Sequence, residues 1–121
     1  MQRKYQKVKP ETAFRKNRVI PFLKTLRNTY FEPIQQISIS GSPDFMLCVN
    51  GHFVALELKA SDQKPRPLQE KRLSDVVRAG GLALVADPNN WELIKKQLSD
   101  LDTTKEIDNG SENSLRASGR V

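Results

Sequence analysis

The sequence predicts an α/β fold with element order α-β-β-β-α-β-α. Three observations predict it: stretches of apolar residues at helical spacing, two strand-like runs joined by Asn50-Gly51, and a short, wholly apolar run after Gly80-Gly81. With 121 residues the chain is expected to build one domain around one core.

From residue 10 to about residue 28 the pattern is helical, with Phe14, Ile20, Leu23 and Leu26 able to share a broad face. Pro21 must either kink that helix or start a second one. Residues 34–39, IQQISI, alternate as a strand, and a hairpin follows from runs 45–49 and 53–59. Asn50-Gly51 between these runs is a strong hairpin signal, because both residues tolerate the positive φ of a type I′ turn. Residues 61–67, SDQKPRP, form a polar loop, and residues 68–79 read as a helix with Leu73, Val76 and Val77 inward, stopped by Gly80-Gly81. The run 82–86 suits a central strand, parallel pairing included. Asn89 or Asn90 can cap a last helix in which Trp91, Ile94, Leu98 and Leu101 recur. The domain is therefore expected to span residues 1–101, with residues 102–121 a disordered tail too poor in apolar residues to pack. Cys48 and Phe53 are expected as core partners across the hairpin, His52 as a residue flanking the turn, and Trp91 as the anchor of the last helix to the sheet.

Composition excludes several chemistries. A single cysteine, Cys48, allows neither an intramolecular disulfide nor an all-cysteine metal site, and a single histidine, His52, removes any scheme needing two. The stretch MQRKYQKVKPE lacks the apolar segment of a signal peptide, so the expectation is a soluble, cytoplasmic, non-secreted protein with no membrane partner. Net charge is +6, and residues 1–27 hold nine Lys or Arg against one acid, Glu11. Such a front can neutralise phosphates and release their counterions, which makes nucleic acid the natural partner and an anionic membrane a weaker rival. The plainer alternative is a solvated, solubilising face.

The hairpin carries the chemistry. In a two-residue turn, facing residues have numbers with a constant sum, so Val49 faces His52, Cys48 faces Phe53, and Asp44 is expected to face Glu57. Two opposed carboxylates are destabilising unless a cation or a proton compensates them. Side-chain alternation brings Lys59 out on the face of Glu57. Asp44 and Glu57 suit a hard cation such as Mg²⁺, and a nearby Lys59 ammonium can hold or activate an attacking water or stabilise charge on a phosphate. Metal-assisted phosphodiester hydrolysis is the chemistry implied. The competing reading is a frayed, solvated strand end with inert charges.

Pro43-Asp44, twelve residues, then Glu57-Leu58-Lys59 resembles the PD-(D/E)XK motif of the restriction-endonuclease-like nucleases. Together with Gly41-Ser42, Pro67-Leu68-Gln69 opening a helix and Ala79-Gly80-Gly81 entering a strand, residues 10–98 resemble the VRR-NUC branch, which includes small phage-type nucleases. The resemblance implies an αβββαβ core with a mixed central sheet flanked by helices. It implies that Asp44 and Glu57 bind metal, Lys59 is the catalytic lysine, and the Leu58 carbonyl faces the metal. Glu11 corresponds to an acid on the first helix near the metal, with a simple first-turn acid as its alternative. Gln69 corresponds to a catalytic glutamine that contacts the metal-bound water or the scissile phosphate, with an exposed helix glutamine as its alternative. Lys9, Arg15 and Lys16 in the basic front, and Lys64 and Arg66 in the loop, are candidate nucleic-acid contacts.

The expected function is a Mg²⁺-dependent DNA endonuclease, with Mn²⁺ as a substitute. It would select branched, flap or four-way-junction DNA by shape, since no base-reading module is recognisable. A bacterial or phage setting and a homodimer are expected, because one site per chain cannot cut two strands symmetrically. The alternatives are a non-catalytic nucleic-acid-binding protein, or a nuclease subunit active only within a larger replication, repair or recombination complex.

Overall fold

A computed structural model describes residues 9–35, 41–61 and 63–104. A four-stranded mixed sheet of order β1-β2-β3-β4 is flanked by helices. The strands are β1 (Thr29–Pro33), β2 (Phe45–Val49), β3 (His52–Leu58) and β4 (Leu82–Ala86). β1, β2 and β3 pair antiparallel and β4 pairs parallel to β3. Helix α2 (Pro67–Arg78) makes the crossover from β3 to β4, and α3 (Trp91–Thr103) follows β4.

The N-terminal helix, α1, runs from Pro10 to Leu23 and stops short of the expected residue 28. Its middle, Arg15–Val19, is π-helical between α-helical ends. Pro21 lacks the N–H for an ordinary helical bond, and the wider π turn ahead of it absorbs the misfit without breaking the rod. Phe14, Val19 and Leu23 are buried, with Ile20 and Leu26 packed at the margin.

The first described strand is Thr29–Pro33, which lies ahead of the expected 34–39. Ile34 and Gln35 are irregular, and residues 36–39 lie outside the described residues. Pro33 does not bar this strand, because β1 lies at a sheet edge, where a missing ladder donor is tolerated. The hairpin register is as expected: Val49 pairs with His52 and Cys48 with Phe53, through a turn with Asn50 at φ 51° and Gly51 at φ 88°. β4 is parallel, as anticipated, but lies at the sheet edge and not at its centre. Asn90 Nδ2 donates to the Val85 carbonyl there, satisfying an acceptor of the edge strand.

One face of the sheet, with Phe45, Leu47, Val49, Val54, Leu56, Leu58, Leu84 and Ala86, packs against α1 and α3. Trp91 is 1% exposed and meets Phe14 and Phe22 edge-on at ring distances of 5.4 and 5.5 Å, so it ties α3 to α1 as well as to the core. The opposite face is covered by α2 only in part. Cys48 and Phe53 therefore face outward, with Tyr30 and Met46, and are not the core pair expected. On α2, Leu73 is buried and Val76 half-buried as anticipated, whereas Val77 is exposed.

Asp102, assigned from sequence to the tail, belongs to α3 and is 3% exposed. Its carboxylate accepts from the backbone N–H groups of Arg27 (3.1 Å) and Asn28 (2.8 Å) and from the Thr29 hydroxyl (2.7 Å). Asn50 Nδ2 donates to the carbonyls of Leu101 and Thr104, so the end of α3 is clasped to both the α1–β1 turn and the hairpin turn. Asn90 occupies the position before α3 but does not cap it; its Oδ1 accepts from the Asp87 N–H. Among the described residues no helix is long and apolar enough to cross a membrane.

Asp102→Ala strands two backbone donors and is expected to cost about 3 kcal/mol in urea unfolding. A loss below about 0.5 kcal/mol would show the clasp to be dispensable.

Candidate active site

The site lies at the end of the hairpin remote from the Asn50-Gly51 turn. Gly41, at φ +82°, opens the approach; a Cβ there would come within 2.8 Å of the Leu68 side chain, so the chain passes against the start of α2. Asp44 is the last residue before β2. The regular ladder closes at Phe45↔Leu56, and beyond it the Asp44 N–H bonds to the Leu56 carbonyl at 3.0 Å, one residue out of step. Asp44 thus does not continue the ladder opposite Glu57 as the register argument expected. Its carboxylate takes over a strand partner's role: Oδ2 accepts from the Leu58 N–H at 2.7 Å. The Ile34 N–H donates to the Asp44 carbonyl at 2.8 Å, fixing the residue from the β1 side.

Glu57 is the penultimate residue of β3 and is 2% exposed; Lys59, one residue past the strand, is 7% exposed. Lys59 Nζ lies 3.5 Å from Glu57 Oε2. The same oxygen accepts from Gln69 Nε2 at 2.8 Å, while Gln69 Oε1 accepts from the Arg66 N–H at 2.9 Å. Gln69 sits at the third position of α2 and closes half of a capping box. One side chain therefore both starts the helix and aims the buried carboxylate. In this arrangement Gln69 acts on Glu57, a contact the sequence reading did not foresee.

From α1, Glu11 and Arg15, one turn apart on one helix face, reach the same end of the sheet. Arg15 Nη1 is 3.9 Å from Asp44 Oδ1, and its guanidinium carbon lies 4.6 Å from the centroid of the buried Phe45 ring. The sequence placed Arg15 only in the basic front; its i, i+4 spacing from Glu11 was the available signal for a place in the cluster.

Electrostatics express the crowding. Burial, then Asp44, pushes Glu57 up from 4.5 to about 7, against the opposing pull of Lys59. Burial, then Asp44, also raises Glu11, with Lys59, Arg15 and Lys9 opposing. Three carboxylates thus share a region with Lys59 and Arg15, and both ion pairs are long. Among the described residues no three His, Cys, Asp or Glu side chains form a ready-made metal ligand group. Lys9 lies close enough to act on Glu11 and immediately precedes α1. Lys16, Lys64 and Arg66 are exposed, and none is paired with these carboxylates among the described residues. Leu58 joins the site through its N–H, which holds Asp44.

No family model, curated protein or solved structure matches the chain.

The pH dependence of stability follows from Glu57. Taking 4.5 for the unfolded chain and about 7 for the folded one, the folded state binds more protons between these values. Stability is therefore fully present below about pH 4.5 and is lost as pH rises through about 7. In EDTA, wild type should fall relative to Glu57→Gln by roughly 1–3 kcal/mol across that window in denaturant titrations. Parallel pH profiles would show that Glu57 carries no such penalty.

Proposed function

We propose that the chain is a divalent-metal-dependent endodeoxyribonuclease with a restriction-endonuclease-like core of the VRR-NUC type. The observation that carries this reading is the convergence of Asp44, Glu57 and Lys59 at one sheet end, with Glu57 buried and only partly offset by Lys59. A solvated, frayed strand end would leave these side chains in water. Here Asp44 is fixed by the Leu58 N–H and Glu57 by Gln69.

The donor set fits a hard cation. Its charged donors are carboxylate oxygens, and a positive ion would offset the burial and the Asp44 repulsion that raise Glu57 and Glu11. Asp44 and Glu57 would hold Mg²⁺ or Mn²⁺, with Glu11 and the Leu58 carbonyl in support. The ion would supply Lewis-acid neutralisation of the scissile phosphate. Lys59, held beside Glu57 by its short tether to β3, offers N–H donors to an attacking water or a non-bridging phosphate oxygen. Gln69 keeps Glu57 aimed while the substrate is bound. Hydrolysis forms a bond from water oxygen to phosphorus and breaks the bond to one sugar oxygen. DNA is the proposed substrate because the basic front, including Lys9 and Lys16, supplies phosphate contacts, with Lys64 and Arg66 in the loop just before α2. Selection of branched or flap DNA by shape, and a homodimer as the working unit, belong to the same proposal.

Asp44→Ala, Glu57→Ala and Lys59→Ala should each reduce cleavage at least about 100-fold. The measurement compares linear duplex, flap, four-way-junction and single-stranded DNA with Mg²⁺, Mn²⁺ or EDTA. Full activity in one variant removes that residue from the chemistry. Salt-sensitive binding without cleavage of any substrate by wild type would replace the nuclease with a binding protein or a subunit awaiting its partner.

A further inference from the structure

Arg15 occupies a position that basic charge alone does not explain. It is the first residue of the π-helical stretch and lies one turn beyond Glu11. Its guanidinium rests on the ring of Phe45, a side chain with no exposed surface, so its location is fixed from below by the core. Asp44 Oδ2 is engaged by the Leu58 N–H, which leaves Oδ1 as the oxygen available to a cation, and Arg15 faces Oδ1 at 3.9 Å. That separation lies beyond hydrogen-bond length, so the pair is an electrostatic neighbour and not a locked bidentate bridge.

We infer that Arg15 is an exchangeable counter-ion: it screens Asp44 Oδ1 when no divalent cation is present, and turns to a substrate phosphate oxygen when one is. The inference rests on the proposed metal-dependent nuclease. Its basis is charge balance. Glu11, Asp44 and Glu57, when ionised, carry three negative charges against the two positive charges of Lys59 and Arg15. A divalent ion reverses that balance, so Arg15 is no longer needed at Asp44 and is repelled by the ion. Phe45 keeps the guanidinium at the site while its outward N–H groups become available. Planar, bidentate donation to phosphate is the chemistry that arginine performs best. The second ligand class is thus a DNA backbone phosphate beside the cleavage site, received only by the metal-loaded protein.

Two measurements on Arg15→Gln and Arg15→Lys test this, with folding checked by circular dichroism. The first is Mn²⁺ binding to the protein alone, followed by loss of the free-ion paramagnetic resonance signal. Arg15→Gln should bind Mn²⁺ about fivefold more tightly than wild type, because a competing cation is gone. Arg15→Lys should stay within about twofold of wild type. The second is duplex DNA affinity by fluorescence anisotropy in EDTA and in Ca²⁺. Arg15→Gln should match wild type within about twofold in EDTA and bind about tenfold more weakly in Ca²⁺. Unchanged Mn²⁺ affinity, or an equal loss of DNA affinity with and without Ca²⁺, would overturn the exchange and leave the metal site standing. Absence of Mn²⁺ binding by wild type would instead overturn the metal-dependent reading itself, and this inference with it.

Discussion

Repulsion among carboxylates brought to one end of a hairpin is the constraint on which the rest of this structure depends. Neither Asp44 nor Glu57 is held by the other. Asp44 is fixed by the Leu58 N–H where the ladder slips by one residue, and Glu57 by the amide that starts α2. Backbone and helix geometry impose a proximity that the charges alone would oppose, and burial, with Asp44 adding to it, raises Glu57 to about 7. Groups kept in such a state are characteristic of functional sites, where local stability is given up for chemistry.

The opposite end of the sheet has the contrary character. There Asp102 is satisfied by two backbone donors and a hydroxyl, and Asn50 couples the hairpin turn to the end of α3. The same turn that sets the register at the remote end is thereby anchored. Between the two ends lies a continuous apolar layer in which Trp91 joins α1 to α3 through Phe14 and Phe22. Holding α1 in place also fixes Glu11 and Arg15, so the core supports the electrostatics of the cluster as well as the fold.

Local signals in the sequence were the readable ones. Asn50-Gly51 dictates its turn through backbone conformation, and from it the hairpin register and the neighbourhood of Asp44, Glu57 and Lys59 follow. What failed depended on distant partners. Thr29–Pro33 was not read as a strand, yet pairing with β2 makes it one, at an edge position that accepts Pro33. Cys48 and Phe53 are apolar by type but lie on the sheet face that α2 covers only in part, and no local pattern reports that. Asp102 looked like the start of a polar tail because its three donors come from residues more than seventy positions away. The slip at Asp44 was invisible for a related reason: a side-chain carboxylate replaced a ladder bond. Gln69 was singled out by resemblance, but its contact with Glu57 emerges only when α2 is packed against β3.

Burial and the neighbouring Asp44 hold Glu57 partly protonated at neutral pH, and a bound cation is expected to displace that proton. Calorimetric titration with Mg²⁺ at pH 7, in two buffers of different ionisation enthalpy, measures this through the protons released on binding. With Glu57 at about 7, roughly half a proton should leave per ion bound by wild type, and Glu57→Gln should lose both the release and most of the affinity. Buffer-independent heats, or Mg²⁺ binding unchanged by Glu57→Gln, would contradict it.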